Sequence, residues 1–128
     1  MDANERELIE QAAKRVIGAA YEVSNVLGTG FLEKVYENAL VHELRANGIR
    51  VEAQKAVPVF YKRCRVGDYF ADLLVENRLI VELKCVESLA GEHLAQCLNY
   101  LRATNAHLAL LLNFQHSRVQ VKRVVREL

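Results

Sequence analysis

A carboxylate and an ammonium two residues apart interrupt an apolar run, Leu79-Ile80-Val81-Glu82-Leu83-Lys84. Side chains on a strand alternate between faces, so Glu82 and Lys84 share one face while Val81 and Leu83 share the other. An isolated charge in a buried strand is costly and persists when it is paired or holds a metal. A second carboxylate, Asp72, stands upstream in Phe70-Ala71-Asp72-Leu73-Leu74-Val75. A tight turn at Glu76-Asn77-Arg78 folds that segment back beside the first, and Asp72, Glu82 and Lys84 then converge. Two acids and a lysine so placed suit a divalent metal and a phosphodiester. The same spacing also admits a structural reading: a solvated turn acid beside a Glu–Lys pair on an exposed sheet face.

The chain of 128 residues predicts one domain, residues 1–128. Its 52% hydrophobic content can fill a core, and 26% charged residues argue against a disordered chain. A formal net charge of +1 leaves no strong electrostatic footprint for nucleic acid, so such contact must come from a local patch or a metal-neutralised site. No apolar run approaches the roughly 20 residues of a membrane span, so no membrane partner is expected. The acidic start, Met1-Asp2-Ala3-Asn4-Glu5, lacks a signal-peptide pattern. Cys64, Cys85 and Cys97 contain no CxxC and read as free thiols in a reducing cytoplasm.

Apolar periodicity predicts helices over 5–27 and 31–46, with Asn4 capping the first and Gly28 stopping it. Strands come next at about 56–61, 69–75 and 79–85. Pro58 marks an edge, and basic Lys62–Gly67 forms the first turn. A third helix covers about 89–103, with Ser88 as N-cap. The apolar run His107–Phe114 reads as a central strand and Val119–Val125 as a last one. A crossover from the third strand through the helix makes a parallel pair. The expected fold is α/β, a mixed β-sheet flanked by helices in the order ααβββαββ.

This order, with an acid on the second strand and Glu-x-Lys on the third, resembles the PD-(D/E)XK nuclease superfamily. Gly30-Phe31-Leu32-Glu33-Lys34-Val35-Tyr36 matches GxxExxY, and His93 to Leu101 resembles the Gln-xxx-Tyr helix of several superfamily branches. With Asp72-Leu73-Leu74-Val75, Glu82-Leu83-Lys84 and Leu112-Asn113-Phe114, the chain resembles the GxxExxY family over roughly residues 10–125. Ala71 replaces the proline of the superfamily's name, a position that shapes backbone and binds nothing.

The resemblance implies a restriction-endonuclease-like core and a metal-dependent nuclease acting on DNA or RNA. Asp72 and Glu82 would bind Mg²⁺ or Mn²⁺, with the Leu83 carbonyl as a further ligand and Glu33 as a ligand directly or through water. Lys84 would hold or help deprotonate the attacking water. Gln96 and Tyr100, one turn apart, would lie over the site, with Gln96 bonding Lys84, a carboxylate or a phosphate. Glu33 has a structural alternative as the N3 residue of a helix capped at Gly30, and Tyr36 as core filling. His93 has a phosphate contact or no role.

The basic groups Lys62, Arg63, Arg65 and Lys122, Arg123, Arg126 would track a phosphate backbone or simply be solvated. Cys85 and Cys97 read as core thiols. A homodimer would set two sites against two strands, and a monomeric mass by light scattering would contradict it. Two further readings stay open: an inactive nucleic-acid- or partner-binding module on the same fold, and a small-molecule phosphoesterase.

Overall fold

The computed structural model describes residues 1–126. Helix α1 runs Ala3–Leu27 and α2 Glu33–Ala46; then come strands β1 (Val51–Tyr61), β2 (Cys64–Val75) and β3 (Leu79–Lys84), helix α3 (Gly91–Thr104), and strands β4 (Leu108–Asn113) and β5 (Gln120–Val125). The five strands lie side by side in chain order. All neighbours are antiparallel except β3 and β4, which are parallel and joined through α3. This is the expected ααβββαββ order and mixed sheet, with β1 and its Pro58 at an edge.

Helices cover both faces. On one, α1 and α2 bury Val16, Ala20, Tyr36, Leu40 and Leu44 against Leu73, Val81, Leu83 and Leu110. On the other, α3 buries Cys97, Tyr100 and Leu101 against Ile80, Ala109 and Leu111. A strand sandwiched in this way must be apolar on both sides, which is why β4 reads as an unbroken Leu-rich run.

Several boundaries differ from the sequence expectation. Asp2, rather than Asn4, caps α1 by accepting the Glu5 N–H at 2.7 Å. Helix α3 starts at Gly91, and His93 rather than Ser88 serves its N-terminus, with Nδ1 accepting the Ala90 N–H at 2.9 Å. The largest difference is in β1 and β2. The segment 62–67 is not a loop: Lys62 and Arg63 alone make the turn, both left-handed at φ 48° and 71°. Gly67 sits inside β2 opposite Val59, next to a register shift that leaves Val66 unpaired. Two-residue hairpins of this geometry usually carry Asn-Gly, so a Lys-Arg turn leaves no readable signal.

Candidate active site

The site lies where the sheet forks. Strands β2 and β3 pair only through Leu73↔Val81, Leu74↔Ile80 and Val75↔Leu79. Beyond Leu73, β2 stays with β1 in a long hairpin, while β3 stays with β4 as far as Lys84↔Asn113. The turn at Glu76 and Asn77, both left-handed at φ 52° and 56°, places Asp72 and Glu82 at the mouth of the fork.

Each carboxylate takes a backbone amide that the diverging strands leave behind. Glu82 Oε1 accepts from Asp72 N–H at 3.1 Å, and Asp72 Oδ2 accepts from Leu83 N–H at 2.9 Å. No polar side-chain atom among the described residues is both buried and without a hydrogen bond. The carbonyl of Leu83 lies on the same strand edge as its N–H and so also faces the fork.

Glu82 is only 3% exposed. Burial, reinforced by the negative charge of Asp72, pushes its carboxyl up to about 9; the Asp72 amide and Lys84 act against the rise. Burial likewise raises Glu33, the first residue of α2, with Asp72 and Glu37 adding to the rise and Lys84 opposing it. Lys84 is half-buried and forms no ion pair among the described residues, so the Glu–Lys pair of the structural reading is not present.

A proton held on Glu82 has a thermodynamic consequence. Unfolded, this carboxyl titrates near 4.5; folded, it keeps its proton to about 9. Between those values the folded state binds more protons, so its stability falls as pH rises. Glu82→Gln keeps an acceptor for the Asp72 amide and removes the penalty. Thermal unfolding in EDTA should show the variant more stable at pH 8 by about 2 kcal/mol, with the gain fading towards pH 4.5. Destabilisation at both pH values would contradict the account.

Two unexpected residues brace Asp72. Gln54 stands opposite it, bracketed by the pairs Ala53↔Leu73 and Lys55↔Ala71, and is left-handed at φ 52° within β1. Its amide donates to Asp72 Oδ1 at 3.4 Å and to Glu37 Oε1 at 3.0 Å. Glu37 is buried and also takes Lys34 Nζ at 2.6 Å. Glu37 lies one turn beyond Glu33 on the same helix face, a spacing that could have flagged it. Nothing in the sequence marks Gln54, a residue type seldom found at positive φ.

The remaining expectations divide. Glu33 does not cap a helix begun at Gly30: α2 starts at Glu33 itself, and Leu32 is its N-cap without a side-chain bond. Tyr36 is a core residue, stacked on Phe114 with centroids 4.9 Å apart. Its hydroxyl donates to Gly28 O at 2.6 Å and accepts Phe31 N–H at 3.3 Å. Tyr36 thus pins the loop ahead of Glu33, where Gly30 adopts φ 103°, a conformation suited to glycine.

Tyr100 is buried near the acids: burial, then Glu82 and Asp72, raise its phenol. Gln96 is half-buried and makes no hydrogen bond among the described residues, so the expected bond to Lys84 or a carboxylate is not formed. The buried face of α3 centres on Cys97, Tyr100 and Leu101, which turns Gln96 to its flank. Cys97, expected to be a core thiol, is buried on that face near the acids. Its thiol is pushed up to about 12 by burial first and then by Glu82. Asn113, which the Leu112-Asn113-Phe114 motif includes without giving it a role, clasps Val86 in both directions, at 3.1 and 2.8 Å, fixing the chain as it leaves β3.

The C-terminal basic group is engaged elsewhere. Arg123 bonds Glu10 at 2.5 Å and Arg126 bonds Asn105 at 3.1 Å, at the opposite end of the sheet. A concavity of about 500 Å³ lies there, lined by Arg6, His107, Leu108 and Val125. No helix among the described residues is long and apolar enough to cross a membrane.

Among the described residues no three His, Cys, Asp or Glu side chains are gathered closely enough to hold an ion alone. The oxygen donors available to a cation are the two carboxylates and the Leu83 carbonyl. An all-oxygen set of that size fits a hard divalent ion that keeps several waters, and the proton held on Glu82 is one such an ion would displace.

Comparison with known proteins agrees with this geometry. The crystal structure of SSO0001 matches at a TM-score of 0.58 and 18% identity, over 75% of this chain and 51% of that one; the chain therefore spans about half its length. An alkaline exonuclease (LHK-Exo) from Laribacter hongkongensis matches at 0.51 and 13% identity, over 92% of this chain and 82% of that one. The same exonuclease in complex with dAMP matches at 0.52 and 11% identity, over 90% and 83%. At such identities the likeness shows a shared fold. No curated protein matches the chain in sequence. The family model for the PD-(D/E)XK nuclease superfamily matches residues 10–124, and the chain belongs to that superfamily.

Proposed function

We propose that the fork is the active site of a metal-dependent nuclease that hydrolyses phosphodiester bonds in DNA or RNA. The observation that carries this reading is the convergence of Asp72 and Glu82 on backbone amides at one sheet opening, beside Lys84, which forms no ion pair among the described residues. In this proposal Asp72, Glu82 and the Leu83 carbonyl hold Mg²⁺ or Mn²⁺, and Glu33 acts through water. When bound, such an ion neutralises phosphate charge and makes water more acidic. Lys84 places a cation where charge develops on the phosphate and holds the attacking water. Tyr100 and Cys97 close the site from α3, while Gln54 and Glu37 position Asp72.

The GxxExxY pattern supports placing the chain in that family, with Tyr36 and Gly30 building the loop that delivers Glu33. The single domain, the cytoplasmic location suited to three free thiols, and the homodimer expected from the small binding surface belong to the same reading. One rival has an observation of its own. Both carboxylates already serve the backbone at the fork, as they would in an inactive binding module.

Calorimetry separates the two. Mn²⁺ should bind the wild type and release about one proton per site at pH 7, read from the dependence of heat on buffer ionisation enthalpy. Affinity should rise with pH until Glu82 has lost its proton near 9, and Glu82→Gln should lose both effects. No binding, with or without oligonucleotide, would favour the inactive module.

A further inference from the structure

The β1–β2 hairpin runs beyond the fork as a two-stranded arm; α3 covers one side of its base, where Val57 is buried and Tyr69 meets Tyr100 edge to face at 5.6 Å, yet every residue from Phe60 to Phe70 is exposed. Its length past Asp72 is roughly 25 Å, from eight residues of β2. An exposed ribbon ordinarily carries polar side chains. This one instead presents Phe60, Tyr61, Val66, Tyr69 and Phe70, with Phe60 and Phe70 exposed at 60% and 53%.

The register places these rings relative to the site. Phe70 is two residues from Asp72 on the same strand, about 7 Å along it; Leu73 packs towards α1 and α2 but Ala71 towards α3, so the hairpin rolls over at Asp72 and the alternation of faces restarts there. Ala56 pairs directly with Phe70, and Phe60, four residues along β1, lies on that face too. Phe70 and Phe60 therefore line one face of the arm, starting two residues from Asp72. The tip holds two cations, Lys62 and Arg63, with Lys62 Nζ 5.4 Å from the Tyr61 ring centroid. Arg65 is neutralised by Asp68, at 2.5 and 2.9 Å.

From this arrangement we infer that the hairpin arm is a stacking track for unpaired bases, so that the substrate is a single-stranded nucleic acid or a frayed end rather than an intact duplex. Duplex binding draws on many phosphate contacts, and a protein that binds this way uses on the order of six to ten. The arm offers two cations, Lys62 and Arg63, that form no ion pair among the described residues. Exposed aromatic rings reward only bases whose faces are free, at about 1–3 kcal/mol per base. Aromatic-rich, cation-poor surface that begins beside the carboxylates thus selects strands without pairing partners. The track deepens the nuclease reading and rests on it for the hydrolysis of the bound strand.

The test is fluorescence anisotropy in EDTA, where no hydrolysis occurs, with a labelled 15-mer oligothymidine, a mixed-sequence 15-mer and the duplex of the latter. Wild type should bind the single strands at least about tenfold more tightly than the duplex. Phe60→Ala/Phe70→Ala should weaken single-strand binding by about tenfold or more, change duplex binding less than about twofold and leave the melting temperature unchanged. Duplex binding equal to or tighter than single-strand binding overturns the inference. So does unchanged single-strand affinity in the double variant, including the case where that variant only dissociates a dimer. Strand-selective binding without hydrolysis once Mn²⁺ is added would leave the track standing and remove the nuclease reading.

Discussion

Asp72→Asn is expected to lower metal-dependent hydrolysis by about a thousandfold, the rate equivalent of about 4 kcal/mol, while leaving the protein folded. The loss comes from the work of Asp72 at the fork. In the proposed centre it is one of two side chains that would hold the cation directly, and Gln54 donates to it from across the hairpin at 3.4 Å. The fold survives because an asparagine oxygen can still accept the Leu83 amide, now held at 2.9 Å. Removing that charge also removes a cause of the raised Glu82 carboxyl. In Asp72→Asn, Glu82 should therefore lose its proton at lower pH. Titration of the Glu82 carboxyl by NMR checks this, and an unchanged titration would show that burial alone accounts for the shift.

Lys84→Ala is expected to cost about a hundredfold in rate, with Mn²⁺ affinity kept within about threefold. Lys84 forms no ion pair among the described residues, so its charge is available to a phosphate and its removal breaks no such pair there. The comparison with Lys84→Arg separates two contributions. Arginine keeps the charge but does not give up its proton, so recovery in that variant assigns Lys84 to charge stabilisation. No recovery, with a pH profile that moves, assigns it to the attacking water. A rate within about twofold of wild type for Lys84→Ala would remove Lys84 from the chemistry.

The sequence is legible where local chemistry and fold agree. Strand β3 stands out because Glu82 and Lys84 interrupt an apolar run, and the crossover to β4 because Ala109-Leu110-Leu111-Leu112 suits only a strand covered on both sides. Asp72 can be found because the turn before Leu79 is short. The hairpin tip misleads: Gly67 attracts a turn, yet the bend falls on Lys62 and Arg63, whose left-handed backbone no local preference foretells. Gln54 is invisible for the same reason.

Gln96 is harder to place for a different reason. Spacing identifies residues that share a helix face but not how the helix is rolled against the sheet. That roll is set by burial of Cys97, Tyr100 and Leu101 together. Tyr36 resolves towards structure because its hydroxyl has backbone partners in the preceding loop, which the sequence cannot place.

The most direct measurement is single-turnover cleavage of end-labelled single-stranded DNA and RNA 15-mers by wild type, Asp72→Asn and Lys84→Ala, each with Mn²⁺ and with EDTA. The fork as a metal-dependent phosphodiester centre predicts cleavage of at least one strand by wild type with Mn²⁺, none in EDTA, and the graded losses given above. Cleavage that persists in Asp72→Asn, or a wild type that binds Mn²⁺ and strand yet cuts neither, would contradict it.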